Sequence, residues 1–224
     1  VILYPGVNMM LEQKKNQLIE FWRENFDFTE EELDAFANVK RENFVSEKLK
    51  DYAYEDAPLP LIRGKTISQP TTVMIMTSAL EINRGEKIFE IGTGSGYQAA
   101  VLAKLTGDAG KVISTEVVPE LVEFSKSNFK KSDINNIEVY ECDGSKGMKN
   151  EVLFDKIIIT AACRDFPQEL INQLKVDGFI IAPLGNKDEQ TMVRGRKLEN
   201  GRLELEFLGP FLFTPMYGEY GFEI

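Results

Sequence analysis

The chain has 224 residues, no histidine, and 26 lysine plus arginine against 36 aspartate plus glutamate, a net charge of −10. With no imidazole, a histidine base, a Ser-His-Asp triad and a histidine-ligated metal are all excluded. Two cysteines, Cys142 and Cys163, cannot build a disulfide framework or a cysteine zinc site, so no metal is expected, and the acidic balance argues against holding nucleic acid by its phosphates.

The start Val1-Ile2-Leu3-Tyr4-Pro5 has no basic flank and no long apolar segment, so it does not read as an export signal. Translation is expected to begin at Met9 or Met10, with the residues before them extra. The most apolar runs, 157–163 and 179–184, are far too short to span a bilayer. With so few cysteines, this points to a cytoplasmic chain with no membrane contact.

Residues 8–38 carry Leu11, Leu18, Ile19 and Trp22 at helical spacing, which predicts an N-terminal helical appendage or lid. Thr29 followed by Glu30, Glu31 and Glu32 predicts a capping box. Residues 52–60 read as a proline-bearing loop, and Ser68-Gln69-Pro70 as the entry to a helix reaching about 81. From 87 onward strands and helices alternate: strands at 87–91, 111–116, 137–141, 155–160 and 178–182, helices at 95–105, 119–131 and 167–174. Such alternation predicts an α/β fold, a doubly wound, mostly parallel sheet. The runs 190–198 and 202–213, joined by Asn200-Gly201, predict an antiparallel C-terminal hairpin.

The segment Phe89-Glu90-Ile91-Gly92-Thr93-Gly94-Ser95-Gly96-Tyr97 follows a strand and opens a helix. Its glycine spacing is G-x-G-x-G, not the G-x-G-x-x-G of a dinucleotide site, and no Lys-Ser/Thr follows as in a P-loop. Glu90, just before the first glycine, would repel a pyrophosphate and suit a cationic or polyol ligand. Glu116 lies 20 residues after Gly96, at a strand end, where an acid can accept from ribose hydroxyls. Asp143-Gly144 follows the next strand and reads equally as an adenine-amino contact or a simple turn. The ligand that fits is S-adenosyl-L-methionine, which carries a sulfonium, an ammonium and a ribose but no phosphate. After the fourth strand stands Thr160-Ala161-Ala162-Cys163 rather than an Asp/Asn-Pro-Pro-aromatic motif. With no base in view, an acceptor that is already ionised, such as a carboxylate, is favoured.

Further blocks extend this reading: Arg41-Glu42-Asn43-Phe44-Val45, Ala53-Tyr54-Glu55-Asp56-Ala57-Pro58-Leu59-Pro60, Gly64-Lys65-Thr66-Ile67-Ser68-Gln69-Pro70, the glycine loop continued through Ala103, Asp143-Gly144, and Phe211 to Pro215. Over roughly residues 39–216 the chain resembles the protein-L-isoaspartate (D-aspartate) O-methyltransferase family, a class I methyltransferase family with a Rossmann-like sheet. The resemblance implies methylation of the free carboxylate of L-isoaspartyl residues in damaged proteins and peptides, with S-adenosyl-L-homocysteine as by-product. It implies Ser68 as the active-site residue; by position alone Ser68 reads as the cap of the helix near Pro70. It implies cofactor contacts from Glu90, Ile91, Gly92, Thr93, Gly94, Ser95, Gly96, Glu116, Asp143, Gly144 and Thr160. The substrate cleft is expected from Pro58, Leu59, Pro60, Thr66, Ile67, Gln69 and Pro70.

One methyltransferase domain is expected over 1–224, with 1–80 as the helical and substrate-cleft part and 81–224 as the cofactor-binding core; the expected state is a monomer. Lys65 stands where glutamine is common in the family, and residues 217–224 carry no basic group. Alternatives are an O-methyltransferase for the aspartyl carboxylate of one dedicated peptide, and a non-catalytic S-adenosylmethionine-binding protein. The charge predicts long-range repulsion of acidic substrates, so that salt hardly weakens their binding.

Overall fold

The computed structural model describes residues 5–149 and 153–222. Helices α1 (Pro5–Asn25) and α2 (Glu30–Asn38) come first. The capping box forms as expected: Glu32 N–H donates to Thr29 Oγ1 (3.2 Å), and Thr29 N–H donates to Glu32 Oε2 (2.8 Å). Leu11, Leu18, Ile19 and Trp22 are buried in the same apolar cluster as Ile88 and Val112 of the sheet. The expected N-terminal helices are thus present, and they pack as one wall of the core. Trp22 is fully buried, edge-on to Phe36 at 4.6 Å, and its indole N–H donates to Thr71 Oγ1 (2.7 Å).

The expected loop at 52–60 ends in a two-residue strand, β1 (Leu59–Pro60), which pairs antiparallel with β2 (Thr66–Ile67). Helix α3 (Pro70–Ser78) follows, its proline at the first turn where no N–H is needed.

The main sheet is built from β3 (Lys87–Ile91), β4 (Lys111–Glu116), β5 (Ile137–Glu141), β6 (Phe154–Ile159), β7 (Leu174–Gly185), β8 (Gln190–Lys197) and β9 (Leu203–Phe211). Its order is β5-β4-β3-β6-β7-β8-β9; β5 through β7 are parallel, and β8 and β9 antiparallel. Side chains alternate across it. Ile88, Val112, Ile158 and Ile181 face a layer made of α1 to α3 and α4 (Tyr97–Thr106), which Phe129 of α5 (Pro119–Lys131) joins. Phe89, Ile113, Ile157 and Ile180 face the other side, with Leu170 of α6 (Gln168–Gln173) and Met216 of the tail.

Strand β7 runs well beyond the expected 178–182. It pairs with β6 on one edge and β8 on the other, and an irregularity between Phe154 and Lys156 lets Leu174 enter the ladder. Chain order reverses between β3 and β6, so the carboxyl ends of β3, β4 and β6 frame a crevice, the usual ligand position in such sheets. Among the described residues no helix is long and apolar enough to cross a membrane.

The capping box satisfies two backbone donors at the start of α2, so its loss reads out in stability. Thr29→Ala is expected to lower the unfolding free energy by about 1 kcal/mol in urea titrations, with Thr29→Ser close to the parent.

Candidate active site

The loop after β3 carries three left-handed glycines, Gly92, Gly94 and Gly96, with φ of 99°, 54° and 86°. Close contacts demand glycine at two of them: a Cβ on Gly92 would lie 2.5 Å from Thr160 Oγ1, and one on Gly96 2.5 Å from the Phe129 ring. Gly92 and Thr93 N–H both donate to Thr115 O (2.9 and 3.1 Å), tying the loop to β4. The Thr160 hydroxyl donates to Gly92 O (2.6 Å), tying it to the end of β6. The loop is thus held from both neighbouring strands.

Glu116 ends β4 almost completely buried. Its Oε2 accepts from Gly94 N–H (2.9 Å), and its Oε1 from Val117 and Val118 N–H (2.9 and 3.0 Å). A carboxylate has about four acceptor sites, so one remains for a ligand hydroxyl. Asp143 does two things. Its Oδ1 accepts from Ser145 N–H and Oγ (3.1 and 2.6 Å), capping the turn that begins at Gly144, and its Oδ2 accepts from Glu219 N–H of the tail (2.9 Å).

Glu90 lies beneath the cleft and does not line it. It is fully buried, accepts from Ser114 Oγ, and its Oε1 has no partner. Thr93 Oγ1 lies 2.6 Å from Ser114 Oγ, so a chain of hydroxyls leads from the loop down to this carboxyl. Burial first, and the Glu116 charge second, push Glu90 up to about 8, against the Ser114 hydrogen bond.

On the opposite wall, Ser68 lies just before α3. The cap of this helix is not Ser68: the N-cap is Gln69, with no side-chain bond, and Asp56 takes the capping role. Asp56 accepts from Thr71 N–H (2.8 Å) and from Thr71 Oγ1 (2.7 Å). Among the described residues no hydrogen bond engages the Ser68 hydroxyl, and Ser68 lines the cleft. Its carbonyl is fixed by Arg41, whose Nη2 donates to Ser68 O (2.7 Å) and whose Nε donates to Ala53 O (2.8 Å). Arg41 is fully buried, stacked on the Tyr97 ring at 4.7 Å, with Nη1 unpaired. Burial holds its guanidinium down to about 10.

One cleft of about 900 Å³, open mouth included, gathers Ser68, Thr66, Ile67, Ile91 to Ser95, Glu116, Asp143, Gly144 and Thr160. Glu90, Gly96, Pro58, Leu59, Pro60, Gln69 and Pro70 are not on its surface. Leu59 turns into the core, and the β1–β2 loop reaches the cleft through Lys65, with Leu61 behind it 3.9 Å from where a Gly94 Cβ would stand. The tail segment Thr214, Pro215, Met216 and Tyr217 forms a wall that the sequence reading did not assign. It is threaded there by Ala162 N–H to Thr214 O (2.9 Å) and Met216 N–H to Ala162 O (2.8 Å). Its signal was the Phe211 to Pro215 block, which carried the resemblance but no role.

The donor set suits S-adenosylmethionine. Two carboxylates, Glu116 and Asp143, would repel a phosphate but can accept from ribose and amino groups. Fold and cleft together define a class I S-adenosylmethionine-dependent methyltransferase. The family model for protein-L-isoaspartate(D-aspartate) O-methyltransferase matches residues 12–221, and the chain belongs to that family.

Among its relatives, the protein-L-isoaspartate O-methyltransferase 2 of Archaeoglobus fulgidus is 41% identical over 215 residues, 96% of this chain and 98% of that one. The protein-L-isoaspartate O-methyltransferase of a Ruegeria species is 44% identical over 185 residues, 82% of this chain and 84% of that one. A solved protein-L-isoaspartate O-methyltransferase superposes with a TM-score of 0.83 at 26% identity, covering 92% of this chain and 67% of that one. A Plasmodium falciparum beta-aspartate methyltransferase, solved with S-adenosyl-L-homocysteine, shares the fold at a TM-score of 0.76 and 24% identity, covering 88% of this chain and 95% of that one.

The buried Glu90 has a pH signature. Unfolded it titrates near 4.5, folded near 8. Between these values the folded chain keeps a proton that the unfolded chain has released, so stability from this group falls as pH rises from about 4.5 to about 8. Glu90→Gln keeps the shape without the charge. Urea midpoints are expected to differ little from the parent near pH 5, with the variant more stable at pH 8; a parallel decline in both would show that the slope comes from other groups.

Proposed function

We propose that the chain is a repair methyltransferase that places a methyl group on the free carboxylate of L-isoaspartyl residues in damaged proteins and peptides, and we assign its site residues as follows. The observation that carries the assignment is Ser68, whose hydroxyl has no hydrogen bond among the described residues, in the same cleft as the glycine loop. Ile91 to Ser95, Glu116, Asp143, Gly144 and Thr160 hold the cofactor side. Thr66, Ile67 and Ser68 hold the peptide side. When bound, S-adenosylmethionine supplies an electrophilic methyl carbon on a sulfonium.

An isoaspartyl carboxylate with an ordinary pKa of about 4 is ionised at neutral pH, so the protein needs no general base. That fits a chain without histidine. The work left to the protein is alignment and exclusion of water. Ser68 Oγ donates to the acceptor carboxylate and orients it. Arg41 keeps Ser68 in place through its carbonyl and leaves the hydroxyl free. Met76, Val73 and Ile67 give that part of the cleft apolar walls that shed water. The resulting ester closes to a succinimide away from the enzyme as the backbone nitrogen displaces methanol, and water reopens part of it to normal aspartate. We further propose that the chain acts as a monomer in the cytoplasm, as a single domain, without nucleic-acid or membrane partners; its net charge of −10 supports the absence of nucleic acid.

The test is methyl transfer to matched isoaspartyl and normal aspartyl peptides. Labelling confined to the isoaspartyl peptide is expected, and equal labelling overturns the repair assignment. Ser68→Ala is expected to lower kcat/KM roughly 10- to 100-fold, as loss of one donor to a charged oxygen does. Its unfolding midpoint should stay near the parent's, because Asp56 and not Ser68 caps α3.

A further inference from the structure

Repulsion of acidic substrates by an acidic chain holds at long range, but among the described residues the cleft is lined by one cation without an acidic partner. Lys65 lines the cleft directly before Thr66, Ile67 and Ser68. Its backbone is fixed by Leu61 N–H donating to Lys65 O (2.7 Å) and Lys65 N–H donating to Ile62 O (3.2 Å). Its ammonium sits 4.0 Å above the ring of Tyr217, which lines the cleft from the tail.

No acidic side chain among the described residues pairs with Lys65, whereas the neighbouring rim cations are neutralised. Arg63 pairs with Glu120, and Lys146 with Glu219 (2.8 Å). The carboxylates lining the cleft, Glu116 and Asp143, are engaged by backbone and hydroxyl donors. An aromatic face holds a cation in place without cancelling its charge. The ammonium is therefore fixed and half-buried, and remains available to an anion entering beside Ser68.

We propose that Lys65, held on Tyr217, is a specificity-determining residue that forms a subsite for a second carboxylate of the peptide. The enzyme then prefers isoaspartyl peptides with an acidic side chain next to the damaged residue. This rests on the isoaspartyl reading of the site. It also reverses the salt expectation for such peptides at short range, where a local ion pair outweighs the diffuse field of the whole chain and is weakened by added salt.

The experiment compares kcat/KM for two C-terminally amidated peptides that differ only in glutamate or glutamine beside the isoaspartyl residue. A third peptide, with glutamine and a free C-terminus, separates a side-chain carboxylate from a terminal one. The parent enzyme is expected to favour the glutamate peptide about fivefold, through KM, and to lose that preference at high salt. Lys65→Gln should bring the ratio close to one, Lys65→Glu should invert it, and Lys65→Arg should keep it. A parent ratio of one, or a ratio that survives Lys65→Gln, overturns the proposal, as does a preference seen only for the free C-terminus. Failure to methylate even the glutamine peptide would instead strike the isoaspartyl reading itself, and the proposal with it.

Discussion

Three backbone N–H groups converge on one buried carboxylate, and the architecture of the cleft follows from that. Glu116 accepts from Gly94 in the loop after β3 and from Val117 and Val118 after its own strand. Hydrogen bonds to an ionised acceptor are roughly twice as strong as neutral ones. They lock the ends of β3 and β4 together, beside the point where the order of the sheet reverses between β3 and β6. Thr160 adds the third strand end through Gly92 O. With these links in place the loop has one shape, and two of the glycines that permit it, Gly92 and Gly96, become obligatory because Thr160 and Phe129 fill the space where side chains would stand.

The peptide side is organised by a different principle. Ser68 has no role in the helix that follows it, because other segments have taken over each structural task. Asp56 caps α3, Trp22 holds Thr71, and Arg41 holds the Ser68 carbonyl. A buried guanidinium without a carboxylate partner is costly unless its donors are used. Two of the Arg41 donors are spent on carbonyls on either side of the β1–β2 strands, so its cost is offset by fixing the segment that carries Ser68. A strongly acidic chain thus keeps cations on the peptide wall, one buried at Arg41 and one at the mouth at Lys65, while the acids sit on the cofactor wall. That division suits a cationic methyl donor on one side and an anionic acceptor on the other.

Elements bounded by local signals stand where the sequence predicts them. Strands β3, β4 and β5 and helix α5 match to the residue, because Pro119 opens the helix and short apolar runs between turns delimit the strands. Strand β7 is the counter-example: its length is set by the partners on its two edges, and nothing within 174–185 announces that. The N-terminal helices show the same limit. Their apolar stripe was legible, but what it packs against was not, and the stripe turned out to complete the core of the sheet.

The sequence alone determined the strand–glycine loop–helix unit, the acids at the strand ends, the absence of any imidazole, and hence a phosphate-free cofactor and an acceptor that needs no base. These are local patterns or simple counts. Only the tertiary structure decided which of these residues face the cleft. Glu90 went beneath the loop because it shares the face of β3 that carries Ile88 and is covered by helices, where Ser114 of the paired strand meets it. The Ser68 hydroxyl was left free because Asp56, 15 residues before Thr71, reached the helix end first. The tail joined the wall through Asp143 and Glu219, 76 residues apart. Contacts across such separations depend on how strands and helices stack, and no local periodicity encodes them.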